Sequence, residues 1–357
     1  MTSHPALVFR ANYFGDPAAS QALAALLEDT FGIDVTILDR LGGPDPTGVP
    51  FAWFDASGTC IANISAFSMP LVINGNFTRA AGLQSGAVRP DFRGRGLFRS
   101  VMEAALDYCD SEGFEAVALL TDKPALYERY GFRALAQHRF AGPAPAGGRA
   151  HATRQLDMAN DADVTLLRRL LNGRRPVSDR FAPLRQVEMF LFNAALMPDL
   201  RLDLLEEDGA VIAWQQGEDG SFELFDVAGA QIPALADIIA SLRLTPSKIR
   251  VHFAPDHLDW NGKAIADEGD MVLMLRGAEG LLPQFIDPAR GHVFLQALVL
   301  GGTQIVIAVS INGLIAVSAG SVAALLATRP RWALVQRWLM GTMLAGLALR
   351  MATDAGR

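Results

Sequence analysis

The stretch from Ala81 to Thr121 constrains the fold more than any other part of the chain. Ala81–Val88 reads as a short strand, and Pro90 stops it, because proline has no N–H to give a sheet. Two glycines follow, Gly94 and Gly96. A helix then opens with Phe98, Val101, Met102, Ala105, Leu106 and Cys109 on one apolar face. Ala116–Thr121 reads as a buried strand. The order of strand, glycine loop, helix and strand predicts an α/β domain.

The loop carries chemistry as well as topology. Glycines ahead of a helix N-terminus let backbone N–H groups approach an anion, and the helix dipole favours the negative charge. Arg89, Arg93, Arg95 and Arg99 add positive charge, so the loop is suited to a pyrophosphate. The dinucleotide fingerprint needs a third glycine and the P-loop needs Gly-Lys-Ser/Thr, and both patterns are absent. On these residues alone, a plain strand-to-helix connection with solvated arginines is the alternative.

Around this core the first part alternates strands and helices. Ala6–Arg10 is a short strand, and Asp16 caps a helix through Thr30 with Leu23, Leu26 and Leu27 inward. Phe51–Asp55 and Cys60–Phe67 are strands joined by Ala-Ser-Gly. Leu71–Ile73 and Asn76–Arg79 flank Asn74-Gly75, a strong hairpin signal. After Ala116–Thr121 comes Pro124-Ala-Leu-Tyr-Glu-Arg-Tyr-Gly-Phe-Arg133, a short helix stopping at Gly131.

In this order the two motifs resemble the GNAT family of acyl-CoA-dependent N-acetyltransferases, over residues 6–140. The resemblance implies a mixed sheet with flanking helices and acetyl-CoA as cosubstrate. It implies that the strand Ala81–Val88 splays from its neighbour and offers main-chain groups around Ala87, Val88 and Arg89 to acetyl-CoA. It implies that Arg93, Gly94, Arg95, Gly96 and Leu97 hold the pyrophosphate. Tyr127 matches the family tyrosine that protonates the departing thiolate; packing of a half-buried aromatic is the other role open to it. Tyr130 is expected to pack. The family usually has Gly or Ala at the position of Phe98, so that ring is expected to turn into the core. The general base is not evident: the strand carries Gln84 and Ser85 but no carboxylate, and Asp122 is the nearest acidic candidate.

Ala141–Gly148 reads as a linker rich in Pro, Gly and Ala. A second α/β unit follows, with a helix at Asp163–Asn172, strands at Arg201–Leu205, Val211–Gln216 and Glu223–Asp226, a helix at Ile232–Leu242, and strands at Ile249–Phe253 and Met271–Leu275. It echoes the first without the glycine loop and reads as a degenerate GNAT-like domain that shapes the acceptor cleft. His252 and His257 with Asp256 and Asp259 read as polar loop residues, because their spacing is no strong ligand pattern, and no metal is expected. Cys60 and Cys109 sit in apolar surroundings and are expected to pack as small hydrophobes, which leaves no covalent cysteine route.

Net charge −7, with lysine only at Lys123, Lys248 and Lys263, argues against a nucleic-acid partner. Hydrophobic residues make up 50% of the chain and mean hydropathy is +0.22, so some stretch is suited to lipid. That excess is C-terminal. Residues 291–328 carry no charge, and 332–349 carry only Arg337. A helix needs about 20 apolar residues to cross a bilayer. The stretch Leu281-Leu-Pro-Gln-Phe-Ile-Asp-Pro-Ala-Arg-Gly291 and these two segments resemble the C-terminal third of the lysine-exporter type of amino-acid translocators. The earlier helices and the Asn-Pro-Lys segment of that family are missing, so a fused membrane remnant is expected. The N-terminus shows no secretory signal, which places the enzyme in the cytoplasm.

The expected organisation is a GNAT domain at 1–140, a linker at 141–154, a degenerate GNAT-like domain at 155–278 and transmembrane helices at 279–357. The expected function is acetyl transfer from acetyl-CoA to the amine of a small molecule or peptide, by direct attack in a ternary complex. The competing readings are an exporter-type membrane protein and an inactive acyl-CoA-binding module.

Overall fold

In the computed structural model, which describes residues 6–267 and 269–277, local signals set the elements of the first half. Strand β1 (Val8–Ala11) leads into helix α1 (Pro17–Phe31). Asp16 Oδ1 accepts from the N–H groups of Ala18 and Ala19, Pro17 pre-sets the first turn, and Gly32 ends the helix at φ 68°. Helix α2 (Ile37–Arg40) precedes β2 (Val49–Phe54), β3 (Cys60–Ser68), β4 (Leu71–Ile73) and β5 (Asn76–Thr78). Asn74 and Gly75 both take positive φ, as a type I′ hairpin requires. Then come β6 (Ala80–Val88), α3 (Leu97–Ser111), β7 (Ala116–Thr121), α4 (Ala125–Glu128), β8 (Arg133–Ala134) and β9 (His138–Gly142).

The second half runs β10 (Thr153–Gln155), α5 (Asp161–Asn172), β11 (Phe181–Pro183), α6 (Val187–Leu196), β12 (Arg201–Leu205), β13 (Ala210–Gln216) and β14 (Phe222–Ala228). It continues with α7 (Leu235–Ser241), β15 (Ile249–Val251), β16 (Lys263–Ala266) and β17 (Val272–Gly277).

Among the described residues the strands form two seven-stranded mixed sheets, ordered β1-β2-β3-β6-β7-β17-β8 and β10-β12-β13-β14-β15-β9-β16. In each, one central pair is parallel, β6 with β7 and β14 with β15, and the other neighbours are antiparallel. The sheets therefore match position by position. The Asn-Gly hairpin stands apart from both, pairing with β11 of the second half in a three-stranded sheet.

The sixth strand of each sheet comes from the opposite half of the chain, which corrects the expectation from chain order. Met271–Leu275, read as closing the second unit, is β17 and lies between β7 and β8 of the first sheet. Ala141 and Gly142, read as linker, end β9, which pairs with β15 and β16 of the second. Burial explains the placement of β17. Met274 packs with Val117 and Leu119 on one face, and Leu275 with Ala116 and Ala118 on the other. A strand apolar on both faces belongs inside a sheet covered on both sides.

Helices cover both faces of the first sheet. Val101, Met102, Ala105, Leu106 and Cys109 of α3 pack against Ile64, Leu83 and Leu119. Leu23, Leu26 and Leu27 of α1 pack against Ala52, Phe54 and Cys60. Each buried Val, Leu, Ile or Met among these stabilises the fold by about 1.5–3 kcal/mol. Among the described residues no helix is long and apolar enough to cross a membrane. The two expected spans and the exporter-like stretch from 281 lie outside the described residues.

Candidate active site

The site begins where two parallel strands part. The ladder between β6 and β7 joins Ala80–Gly82 to Ala116–Ala118 and stops, although β6 runs on to Val88 and β7 to Thr121. A bulge in β6 bends it away. Asn63 pairs with Ala87 and Ser65 with Gln84, so Ile64 of β3 faces both Ser85 and Gly86. Ser85 takes φ 60°, a left-handed conformation that costs a serine of order 1 kcal/mol or more.

Buried Asn63 holds that conformation. Its amide nitrogen donates to the Ser85 carbonyl at 3.0 Å and to Ser65 Oγ at 3.2 Å, and its Oδ1 accepts from the Tyr13 hydroxyl at 2.7 Å. Burial raises the Tyr13 pKa far above the ordinary phenol value, so it remains a donor. Sequence reasoning missed this pair. The available signal was a lone amide inside the apolar strand Cys60–Phe67, because a buried amide needs partners.

The parting strands enclose a cleft of about 660 Å³. Gln84–Val88 form one wall and Leu119–Lys123 the other, with the loop at Arg93, Gly94, Gly96 and Leu97 at one end. Backbone alternation decides which N–H groups face it. Arg89 N–H donates to Ile61 O at 2.9 Å, and Ala87 shares its orientation on β6. Val88 points its N–H away from β3, into the gap. Of the three main-chain positions expected to meet acetyl-CoA, Val88 is the one whose donor faces the cleft; those of Ala87 and Arg89 serve the sheet.

Gly94 and Gly96 take φ 77° and 79°, left-handed values that favour glycine, and nothing lies within 4 Å of a Cβ built on either. Gly96 is the N-cap of α3 and contributes no side-chain bond. The first helical bond is Ser100 N–H to Gly96 O, so the N–H groups of Leu97, Phe98 and Arg99 have no intrahelical partners. Arg93, Arg99, Lys123 and Arg129 line the cleft and make it electropositive. Two other arginines depart from expectation. Arg89 binds Cys60 O at 2.9 Å and Asp29 at 2.7 Å, while Arg95 donates to Asp91 O at 2.8 Å and lies on the Phe92 ring. Neither residue is among those lining the cleft.

Tyr127, on α4, reaches the bulge from the far wall. A Cβ built on Gly86 would lie 3.4 Å from its hydroxyl. Its ring is held edge-on between Phe98 at 5.8 Å and Phe132 at 6.1 Å. Burial raises its pKa, and a hydrogen bond with Thr121 opposes that shift in part. A raised value keeps the hydroxyl protonated at neutral pH and able to donate. Tyr130 packs on the core and its hydroxyl accepts from Arg129 at 2.9 Å. Phe98 contradicts the expectation that it turns into the core: its ring stands on the cleft wall, because Tyr127 offers it an edge-to-face partner.

Asp122 is the one carboxylate lining the cleft among the described residues, and it pairs with Lys123 at 3.2 Å. Cys60 and Cys109 are buried, and burial pushes both thiols up to about 12, so neither is a thiolate nucleophile at neutral pH. Asp256 and His257 approach Asp179 rather than His252 or Asp259, with candidate ligand atoms within 4.8 Å. Arg175 lies 3.4 Å from His257 Nδ1, and Asp256 accepts from Asp179 N–H. These contacts tie two loops together.

Comparison with known proteins agrees with this geometry. Residues 48–135 match the model of the acetyltransferase (GNAT) domain, a family that uses acetyl-CoA. The chain is 38% identical over 84 residues to the uncharacterized N-acetyltransferase YhbS of Escherichia coli K12. That match covers 24% of this chain and about half, 48%, of YhbS. Among solved structures, Eis1 from Mycobacterium abscessus shares the fold with a TM-score of 0.52 at 15% identity, covering 76% of this chain and 73% of Eis1. A probable N-acyltransferase from Enterococcus faecalis V583 does so with a TM-score of 0.52 at 14% identity, covering 76% and 72%. Residues 48–135 thus match a GNAT acetyltransferase domain, and about three quarters of the chain shares its fold with these two solved structures.

Proposed function

We propose that the cleft between β6 and β7 binds acetyl-CoA and transfers its acetyl group to an amine. The observation that carries this is the union, in one cleft, of a strand gap, an uncapped helix N-terminus and the hydroxyl of a half-buried tyrosine. The main chain of Arg93, Gly94, Arg95, Gly96 and Leu97 holds the pyrophosphate, with the Arg93 and Arg99 side chains beside it. Val88 N–H meets the pantetheine arm, which lies along β6 as an added strand would.

The acceptor, a small molecule or peptide, enters with its nitrogen deprotonated. Its lone pair attacks the thioester carbon, forming the C–N bond. The tetrahedral intermediate then collapses and breaks the C–S bond. The leaving thiolate takes a proton from the Tyr127 hydroxyl, which recovers it from water. The nitrogen gives up its own proton to water or to Asp122. A thiol-release assay over a panel of primary amines, with acetyl-CoA titrated calorimetrically, tests the reading. Release of CoA only when amine is present supports it. Tight acetyl-CoA binding without release on any amine favours the inactive binding module, a reading that the absence of a carboxylate on β6 keeps alive.

We further infer, on sequence alone, that the chain beyond 281 attaches to a membrane with the enzyme on the cytoplasmic side. The uncharged run 291–328 supports this. Recovery of full-length protein in the membrane fraction is expected, and recovery without detergent in the soluble fraction contradicts it.

A further inference from the structure

We propose that the buried Tyr13–Asn63 pair is a positioning device for acetyl transfer, which turns the Ser85–Gly86 peptide so that Gly86 N–H meets the carbonyl oxygen of the thioester. The inference deepens the acetyl-transfer reading and rests on it.

The peptide plane gives the direction. In a trans peptide the C=O and the following N–H point opposite ways. The Ser85 carbonyl accepts from Asn63 Nδ2 at 3.0 Å, so Gly86 N–H points away from Asn63. Strand alternation agrees. Ala87 pairs with Asn63, and Gly86 stands just before it, two residues from Val88, whose N–H enters the gap. Gly86 and Tyr127 line the same cleft. A thioester whose sulfur takes its proton from Tyr127 carries its carbonyl oxygen two bonds from that sulfur. This oxygen gains negative charge in the tetrahedral intermediate, and a fixed N–H aimed at it stabilises that charge.

Side chains from two other elements hold the peptide. Tyr13 stands ahead of α1, Asn63 is on β3 and Ser85 is on β6. Asn63 is fully buried and both ends of its amide are engaged. Its Oδ1 accepts from the Tyr13 hydroxyl at 2.7 Å, and its Nδ2 donates to Ser65 Oγ at 3.2 Å as well as to Ser85 O. Tyr13 is itself buried, edge-on to Phe54 with ring centroids 5.1 Å apart.

The second sheet is built without such a device. Its matching bulge lies opposite Ala213 and Trp214, neither of which carries an amide side chain, and no residue of β14 takes a positive φ. There the Phe225–His252 stack fills the gap. A left-handed serine and a buried amide are therefore not the cost of the sheet order. They occur at the bulge whose cleft is open.

The experiment compares wild type with Tyr13→Phe, with Tyr13→Phe/Asn63→Leu, and with that pair joined to Ser85→Gly. The double substitution removes both polar partners together, which spares the core an orphaned hydroxyl. Glycine at position 85 takes the left-handed conformation without a Cβ penalty, so the bulge persists without the amide. The readouts are kcat and KM with one amine, calorimetric Kd for CoA, and the infrared stretch of an isotope-labelled thioester carbonyl in bound acetyl-CoA. A hydrogen bond lowers that frequency. The double variant is expected to raise it and to lose kcat, by up to about 10²- to 10³-fold as for a lost oxyanion donor, with the Kd for CoA little changed. Adding Ser85→Gly is expected to return both toward wild type, which a loss of core packing alone does not explain. Tyr13→Phe is expected to move both the same way by less, and it decides the matter if the double variant does not fold. An unmoved carbonyl frequency overturns the inference, as does a loss of CoA affinity in step with kcat. If no amine is acetylated, the transfer reading fails while the carbonyl frequency still decides the positioning. A wild type that binds no acetyl-CoA overturns both.

Discussion

The two halves of the molecule share a sheet and differ at its centre. Each sheet has the same strand order, one parallel central pair, and a bulge in the strand pairing beside it, at Ser85 and Gly86 in β6 and next to Ala213 and Trp214 of β13 opposite β14. In the first half the gap beyond the parallel pair is open and faces a glycine loop and a 15-residue helix. In the second, Phe225 of β14 stacks on His252, just past β15, with ring centroids 4.3 Å apart. Helix α7 has 7 residues, and Ile232-Pro-Ala stands before it in place of glycines. The same sheet order arises in both halves from strands apolar on both faces at the centre of the sheet. A cleft needs more: small residues at the bulge, glycines at the loop, and no aromatic pair across the gap.

The largest effect is expected at the glycine loop. Gly96→Leu places a bulky side chain where the phosphates are proposed to approach and forces φ 79° on a residue with a Cβ, a cost of roughly 1–2 kcal/mol. Calorimetry should show acetyl-CoA binding abolished in a protein that still unfolds cooperatively, while Phe225→Ala in the second half leaves the affinity unchanged. Next is Tyr127→Phe, which removes one hydroxyl and keeps the ring contacts. General acid catalysis typically contributes about 10²- to 10⁴-fold, so kcat should fall in that range with the Kd for acetyl-CoA little changed.

The exchanged strands give a smaller, thermodynamic test. Met274 is fully buried in the first core although it belongs to the last described strand. Met274→Ala should cost about 2–5 kcal/mol in urea unfolding. It should also weaken acetyl-CoA binding less than Gly96→Leu does, since β17 supports β7 from behind.

The smallest effect concerns the filled gap. Burial lowers the His252 pKa, against Glu223 and Asp267, which raise it, and with Arg139, which lowers it. The unfolded chain then takes up a proton before the folded one does. His252 leaves stability intact above its unfolded value of about 6.5 and erodes it as pH falls below that. Unfolding at pH 7.5 and 5.5 should show a larger acid loss for wild type than for His252→Gln. An equal loss would mean that this ring titrates freely in the folded state.

Much of the first half was legible in the sequence because its signals are local. Asp16, the Asn74-Gly75 turn, and the spacing of Val101, Met102, Ala105 and Leu106 each act within one element. Gly94, Gly96 and Tyr127 were legible because the resemblance rests on contiguous motifs. The strand exchange was not. Nothing local in Val-Leu-Met-Leu distinguishes a strand that closes its own sheet from one that crosses to another, since pairing is decided by the faces left uncovered on β7. The side-chain directions of Arg89 and Arg95 were equally hidden. A guanidinium near a glycine loop can turn to a carbonyl, as both do here, and only three-dimensional neighbours settle that.

Hydrogen exchange with and without acetyl-CoA reads both gaps in one experiment. Slowed exchange on binding is expected at Val88 and across residues 93–99, with no change at 223–228 or 249–253. Protection in the second half, or none at the glycine loop while acetyl-CoA is bound, would contradict it.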